Sequence, residues 1–138
     1  MPSESLQSIA QKMRNLDIAI FTTVTQGGAL AGRPMSNNGD VEYDGNSYYF
    51  TYEDPRLVSD ITSNPKVELG FSGEDYLYVS VAGKAELIRD KSTFKAHWVD
   101  ELERWFENGV DTPGMVMICV KAERVKYWKG EENGEWLA

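Results

Sequence analysis

The chain has 138 residues, 41% of them apolar and 12% aromatic, which suits one compact domain and argues against disorder. Its formal charge is −8, with only 14 lysines and arginines, so its overall field opposes nucleic acid and anionic lipid. No apolar run reaches the ~18 residues of a membrane-spanning helix.

The N-terminus has no apolar leader-like core, and the single cysteine, Cys119, excludes an internal disulfide. Both features lead us to expect a cytoplasmic protein, folded as one domain over 1–138.

Residues 5–16 place Leu6, Ile9, Ala10, Met13 and Leu16 at helical spacing, with Ser3 as the expected N-cap. Strand signals follow. "IAIFTTVT" (18–25) is apolar and β-branched, and a Gly27-Gly28 turn leads into a second strand, 29–36. That strand contains "GRPMS", which sets a cation, Arg33, beside Pro34, a residue with no N–H to give a ladder. Two short strands are expected around Asp44-Gly45, a strong hairpin dipeptide.

A helix over 54–65 carries Leu57, Val58 and Ile61 on one side and stops at Pro65. Strands are expected at 66–72 and 76–88. A helix over 91–109 has Phe94, Trp98, Leu102, Trp105 and Phe106 facing one way, with Gly109 as its C-cap. Two more strands, 115–122 and 123–130, precede an Asn133-Gly134 turn. Short, mostly antiparallel strands with a few helices predict a mainly β fold: a small barrel with covering helices. A core this small favours a partner subunit.

The inventory excludes several chemistries. One histidine and one cysteine cannot build a His/Cys zinc site, and there is no P-loop or G-x-G-x-x-G. His97 falls inside a helix, as a surface or packed residue, and Cys119 lies in an apolar strand as a small core residue. Such a chain would need a cofactor for redox or group-transfer chemistry. Three stretches remain. They are "GRPMS" with Arg33 and Ser36, "YYFTYEDPR" with Thr51 and Arg56 around a helix start suited to phosphate, and "KYWKG" with Trp128.

At these residues the chain resembles the pyridoxamine 5′-phosphate oxidase-like flavoproteins, the FMN-binding split barrels, on their general stress protein 26-like branch. The resemblance covers nearly the whole chain, from "FTTVTQGGALAGRPM" through "DGNSYYFTYEDPRLVSDITSNPKVELGF" and "YVSVAGKAELIRD" to "WFENGVDTPGMVMICVKAERVKYWKG". It implies a split β-barrel of about six antiparallel strands that forms a homodimer, with two flavin sites at the interface. Arg33 would reach the FMN phosphate, with Pro34, Met35 and Ser36 along the flavin ring. Phe50 and Thr51 would lie on a strand beside it, and residues 54–57, including Arg56 and Leu57, would form the phosphate-binding segment. Tyr78 would approach the ring, and Trp128 would reach it from the other subunit.

The departures narrow the function. The family's phosphate segment carries serine and lysine where this chain has Pro55, Arg56 and Leu57. Asn38 replaces a lysine of the authentic oxidases, and "EENGEW" replaces their Arg-x-His pair. Both changes argue against oxidation of pyridoxamine phosphate. The resemblance implies a stress-type protein that binds FMN, with FAD open, and acts as a flavin-dependent oxidoreductase of unknown substrate or as a non-enzymatic flavin-sensing module. Haem or a deazaflavin in the same barrel is a third reading. A lone histidine weighs against haem, although a tyrosine ligand stays open, and the acidic tail weighs against a deazaflavin.

Overall fold

The structure, a computed structural model, describes residues 5–14, 16–36, 43–53 and 56–138. Helix α1 (Leu6–Lys12) starts where the Ser5 hydroxyl accepts the Ser8 N–H at 3.1 Å. The expected cap, Ser3, lies outside the described residues. Ile9 and Ala10 of α1 are buried on the sheet, as the helical spacing predicts.

Strands β1 (Ile18–Val24) and β2 (Leu30–Ser36) form the expected hairpin, closed by a turn in which Gly28 takes φ +86°. β3 (Asn46–Tyr52), α2 (Arg56–Ser63), β4 (Lys66–Ser72) and β5 (Leu77–Ile88) follow. After α3 (Lys91–His97) and two short 3₁₀ turns come β6 (Met115–Lys129) and β7 (Glu132–Leu137). The seven strands form one antiparallel sheet in the order β2-β1-β4-β5-β6-β3, with β7 also on β6. β3 pairs with the first half of β6 and β7 with the second, so both occupy the same side of one long strand. No ladder joins β2 to β3 among the described residues, and the sheet curls without closing.

Two expectations change, the division of the last strand and the length of the third helix. The strands 115–122 and 123–130 are one strand, β6, which stays paired with β5 through an irregularity at Ala82 and Gly83. With β7 the sheet has seven strands, in keeping with the expected barrel of about six. Of the two strands expected around Asp44-Gly45, the first falls largely on residues outside the described ones; the second is β3, which pairs with β6, far along the chain. The helix expected over 91–109 ends at His97. Trp98 and Val99 turn extended, with ψ of 137° and 148°, and this break lets the Trp98 ring pack edge-on to Phe50 and Phe106. Aromatic packing thus overrides helical periodicity here. Trp105, expected on the apolar stripe, is 63% exposed.

Two apolar clusters result. The main core packs α1 and α2 on the inner sheet face around Phe21, Leu69, Val81 and Tyr127. A second cluster packs α3 and the segment after it on β3 and β6 through Phe94, Phe106, Met115 and Met117. Cys119 is buried, as expected of a small core residue.

Two positions give direct tests of the packing. A Cβ on Gly83 would sit 2.1 Å from the Lys121 carbonyl oxygen, because β5 and β6 approach closely at the irregularity. Backbone cannot yield as a side chain can, so Gly83→Ala should destabilise by about 1–3 kcal/mol in chemical denaturation. Tyr49 is buried, and its hydroxyl has no hydrogen-bond partner among the described residues. Burial pushes its phenol pKa well above the ordinary value. An unsatisfied buried hydroxyl costs free energy. Tyr49→Phe, which keeps the edge-to-face contact with Phe21, should therefore leave the melting temperature unchanged or raise it.

Candidate functional site

β2 has a neighbour on one side only, so Pro34 stands on an edge strand, where a missing N–H is tolerated. β3 ends the other side of the sheet path, and curling brings the two edges to either side of one cavity of about 360 Å³. That size lies within the ordinary range of small-molecule clefts. Pro34, Met35 and Ser36 of β2 form one wall, and Phe50 and Thr51 of β3 form the next. These are five of the ten expected site residues, and the fold brings them together. The third wall is the broken helix: His97, Val99, Leu102, Trp105 and Phe106. The sequence reading missed this wall, because it needed the chain to leave the helix at Trp98.

The walls are largely aromatic and contain no carboxylate, lysine or arginine. Phe50 is the hub, with edge-on contacts to Phe94, Trp98 and Phe106. The Tyr48 and His97 rings stack 3.8 Å apart at 19°. The Tyr52 hydroxyl donates to the Trp105 carbonyl at 3.4 Å. The Ser36 hydroxyl donates to the Asp17 carboxylate at 2.8 Å. The Thr51 hydroxyl and the His97 imidazole have no hydrogen-bond partner among the described residues.

The other five expected residues lie elsewhere. The Arg33 side chain turns toward α2. Its Nη1 donates to the Thr23 hydroxyl at 2.8 Å and to the carbonyls of Ala31 and Phe21 at 3.1 and 3.3 Å. Thr23 in turn donates to the Asp60 carboxylate at 2.8 Å, and Arg33 Nη2 stands 3.6 Å from the same oxygen. Asp60 is 3% exposed, so this is a buried carboxylate held by a threonine and a partly buried arginine. Arg56 is the first residue of α2, near this cluster in the chain, and Leu57 is buried in the main core. Asp54, Pro55 and Asn38 lie outside the described residues.

Tyr78 and Trp128 face each other across β5 and β6 on the outer face of the sheet, 52% and 37% exposed. Lys126 lies over the Trp128 ring at 4.8 Å. Ile18 and Ile20 of β1 share this outer face.

An open antiparallel sheet, with its two free edges flanking a ligand-sized aromatic cavity, defines a split barrel with a binding cleft. The sequence profile described as "Pyridoxamine 5'-phosphate oxidase like" matches residues 4–136, and the chain belongs to that family. It is 32% identical over 136 residues to "General stress protein 26" of Bacillus subtilis (strain 168), covering 92% of this chain and 93% of that protein. Solved structures share the fold at lower identity. The protein related to general stress protein 26 from Clostridium acetobutylicum superposes with TM-score 0.78 at 20% identity, covering 94% of this chain and 90% of that one. The general stress FMN/FAD binding protein from Xanthomonas citri gives 0.76 at 19% identity, covering 91% and 89%. No helix among the described residues is long and apolar enough to cross a membrane.

Proposed function

We propose that this chain is a flavin-binding protein of the general stress type, with the flavin ring in the cavity between β2 and β3. The observation that carries the reading is the cavity itself. Its walls are largely aromatic and contain no carboxylate, lysine or arginine, which suits a planar ring, and they include Pro34, Met35, Ser36, Phe50 and Thr51. The Xanthomonas citri relative, called an FMN/FAD binding protein, supports the choice of ligand. Thr51 and His97 would offer hydrogen bonds to the ring edge. The phosphate would lie outside the uncharged cavity, toward Arg33 and Arg56. A bound flavin supplies redox chemistry, while the chain orients the ring and excludes water.

The exposed Ile18, Ile20, Tyr78 and Trp128 support a homodimer formed across the outer sheet face. A second copy would cover these aromatics, and Tyr78 and Trp128 would approach the flavin from there. Trp128→Glu should then shift the mass measured by light scattering from dimer to monomer, and an unchanged mass would exclude this face.

Absorbance of the purified protein tests the flavin reading. Bands near 370 and 450 nm are expected, with FMN or FAD then distinguished by the mass of the released ligand. A colourless protein that ignores both, or a haem spectrum, would overturn it.

The cavity wall also favours a second reading, a flavin-sensing module. Apart from His97, whose ring is stacked on Tyr48, its residues include no carboxylate, lysine or arginine to serve as an acid or base. Bound flavin reduced by NADH or NADPH no faster than free flavin would select that reading over an oxidoreductase.

A further inference from the structure

We infer that Asp60 is a specificity-determining residue: it offsets the charge of Arg33 and suits the site to a flavin tail of one negative charge rather than two. This rests on the flavin reading, which leads the tail out of the cavity toward Arg33 and Arg56.

Three observations carry the inference. First, the carboxylate is deeply held. Asp60 lies on α2, which begins at Arg56, and it is 3% exposed. Thr23 donates to its Oδ2 at 2.8 Å, and Arg33 Nη2 stands 3.6 Å from the same oxygen. Salt screens a charge in such a place far less than one on the surface.

Second, Asp60 is not what places Arg33. Arg33 Nη1 donates to three neutral acceptors on β1 and β2: the Thr23 hydroxyl at 2.8 Å and the carbonyls of Ala31 and Phe21 at 3.1 and 3.3 Å. The 3.6 Å to Asp60 is longer than a hydrogen bond. Asp60 therefore gives Arg33 a counter-charge rather than a position. Thr23 joins the two, accepting from Arg33 and donating to Asp60.

Third, the Arg33 side chain is 24% exposed, so an anionic tail can reach it. A tail that does so is attracted by the guanidinium and repelled by the carboxylate beside it. Opposite charges this close largely cancel beyond short range. The first negative charge keeps its direct contact with the arginines. A second charge on the same phosphorus meets little remaining attraction, on a chain whose formal charge is −8.

The test varies the charge of the tail on one ring system. Riboflavin carries none, riboflavin 5′-sulfate carries one, and FMN carries two at pH 8, about two units above the second pKa of a phosphomonoester. Competition in equilibrium dialysis, on the full chain, gives their relative affinities. The sulfate should bind more tightly than riboflavin, and FMN should lie within about threefold of the sulfate. Asp60→Asn keeps an acceptor for Thr23 and removes the charge, so FMN should then exceed the sulfate by about tenfold. Glu68→Gln, which removes an exposed carboxylate from β4, should leave the ratio as it is in the unaltered chain. A larger preference for FMN in the unaltered chain would overturn the inference. That measurement needs no variant, so the test stands even if Asp60→Asn does not fold. Sulfate binding no tighter than riboflavin, an unchanged ratio in Asp60→Asn, or an equal rise in Glu68→Gln would also overturn it. A fall in the ratio in Asp60→Asn would make Asp60 a support for Arg33 and overturn it as well. A protein that binds all three ligands in the wrong ratio keeps the flavin reading and loses only this role of Asp60. A protein that binds none of them overturns both.

Discussion

Arg33→Ala should cost the fold about 2–4 kcal/mol in the absence of any ligand, because it leaves the Asp60 carboxylate buried beside only Thr23. The upper end of the cost for a fully buried pair is not expected, since the Arg33 side chain is 24% exposed and water can reach it. Denaturant midpoints measure this directly. A double-mutant cycle with Asp60→Asn separates the pair from its surroundings. The second change should cost much less when Arg33 is already absent. Additive losses would mean that Arg33 and Asp60 do not act together. In the flavin reading, the same Arg33→Ala variant also loses one charge-assisted contact with the phosphate, about ten- to a hundredfold in affinity. The two effects separate when flavin affinity is compared between Arg33→Ala and Asp60→Asn. Only the first removes a cation from the site.

Phe50→Ala should lower stability by about 3 kcal/mol through loss of a ring that contacts three others. Its larger consequence is local. Phe50 ties β3 to Phe94 of α3, to Trp98 at the helix break and to Phe106 beyond it. Without it, the third wall of the cavity loses its anchor, while the main core around Phe21 and Leu69 is untouched. Hydrogen exchange should therefore accelerate over residues 94–106 more than over β4 and β5. Ligand binding in the cavity should fall by more than stability does. Uniform loss of protection would contradict the division into two clusters.

The strands that could be read from the chain are those whose pattern is local. β1 and β4 alternate buried and exposed residues, and their bounds follow from that period and from the flanking turns. Helix α2 ends before Pro65, which cannot continue it. What could not be read depends on distant partners. β3 looks like half of a hairpin, but its partner is β6, some 70 residues away in sequence. The break at Trp98 is invisible to helical spacing, because the residues that draw Trp98 out of the helix, Phe50 above all, belong to another element. The site divides in the same way. Residues 34–36 and 50–51 stand out as a motif and line the cavity. His97 does not stand out: inside an expected helix, a lone histidine gives no sign that it will stack on Tyr48. Arg33 stood out as a cation beside a proline, but its buried carboxylate partner, Asp60, gave no signal in a helix pattern defined by its apolar positions.

The cavity walls contributed by β2 and β3 belong to the two ends of the sheet path, which share no ladder among the described residues. Whatever fills the space between them does a strand's work. It touches both rims and makes their relative position part of its own binding equilibrium. Occupancy at a hundred times Kd would add about 2.7 kcal/mol to global stability. Slow amide exchange in β2, an outer strand with one neighbour, would then report ligand as sensitively as any change in the spectrum.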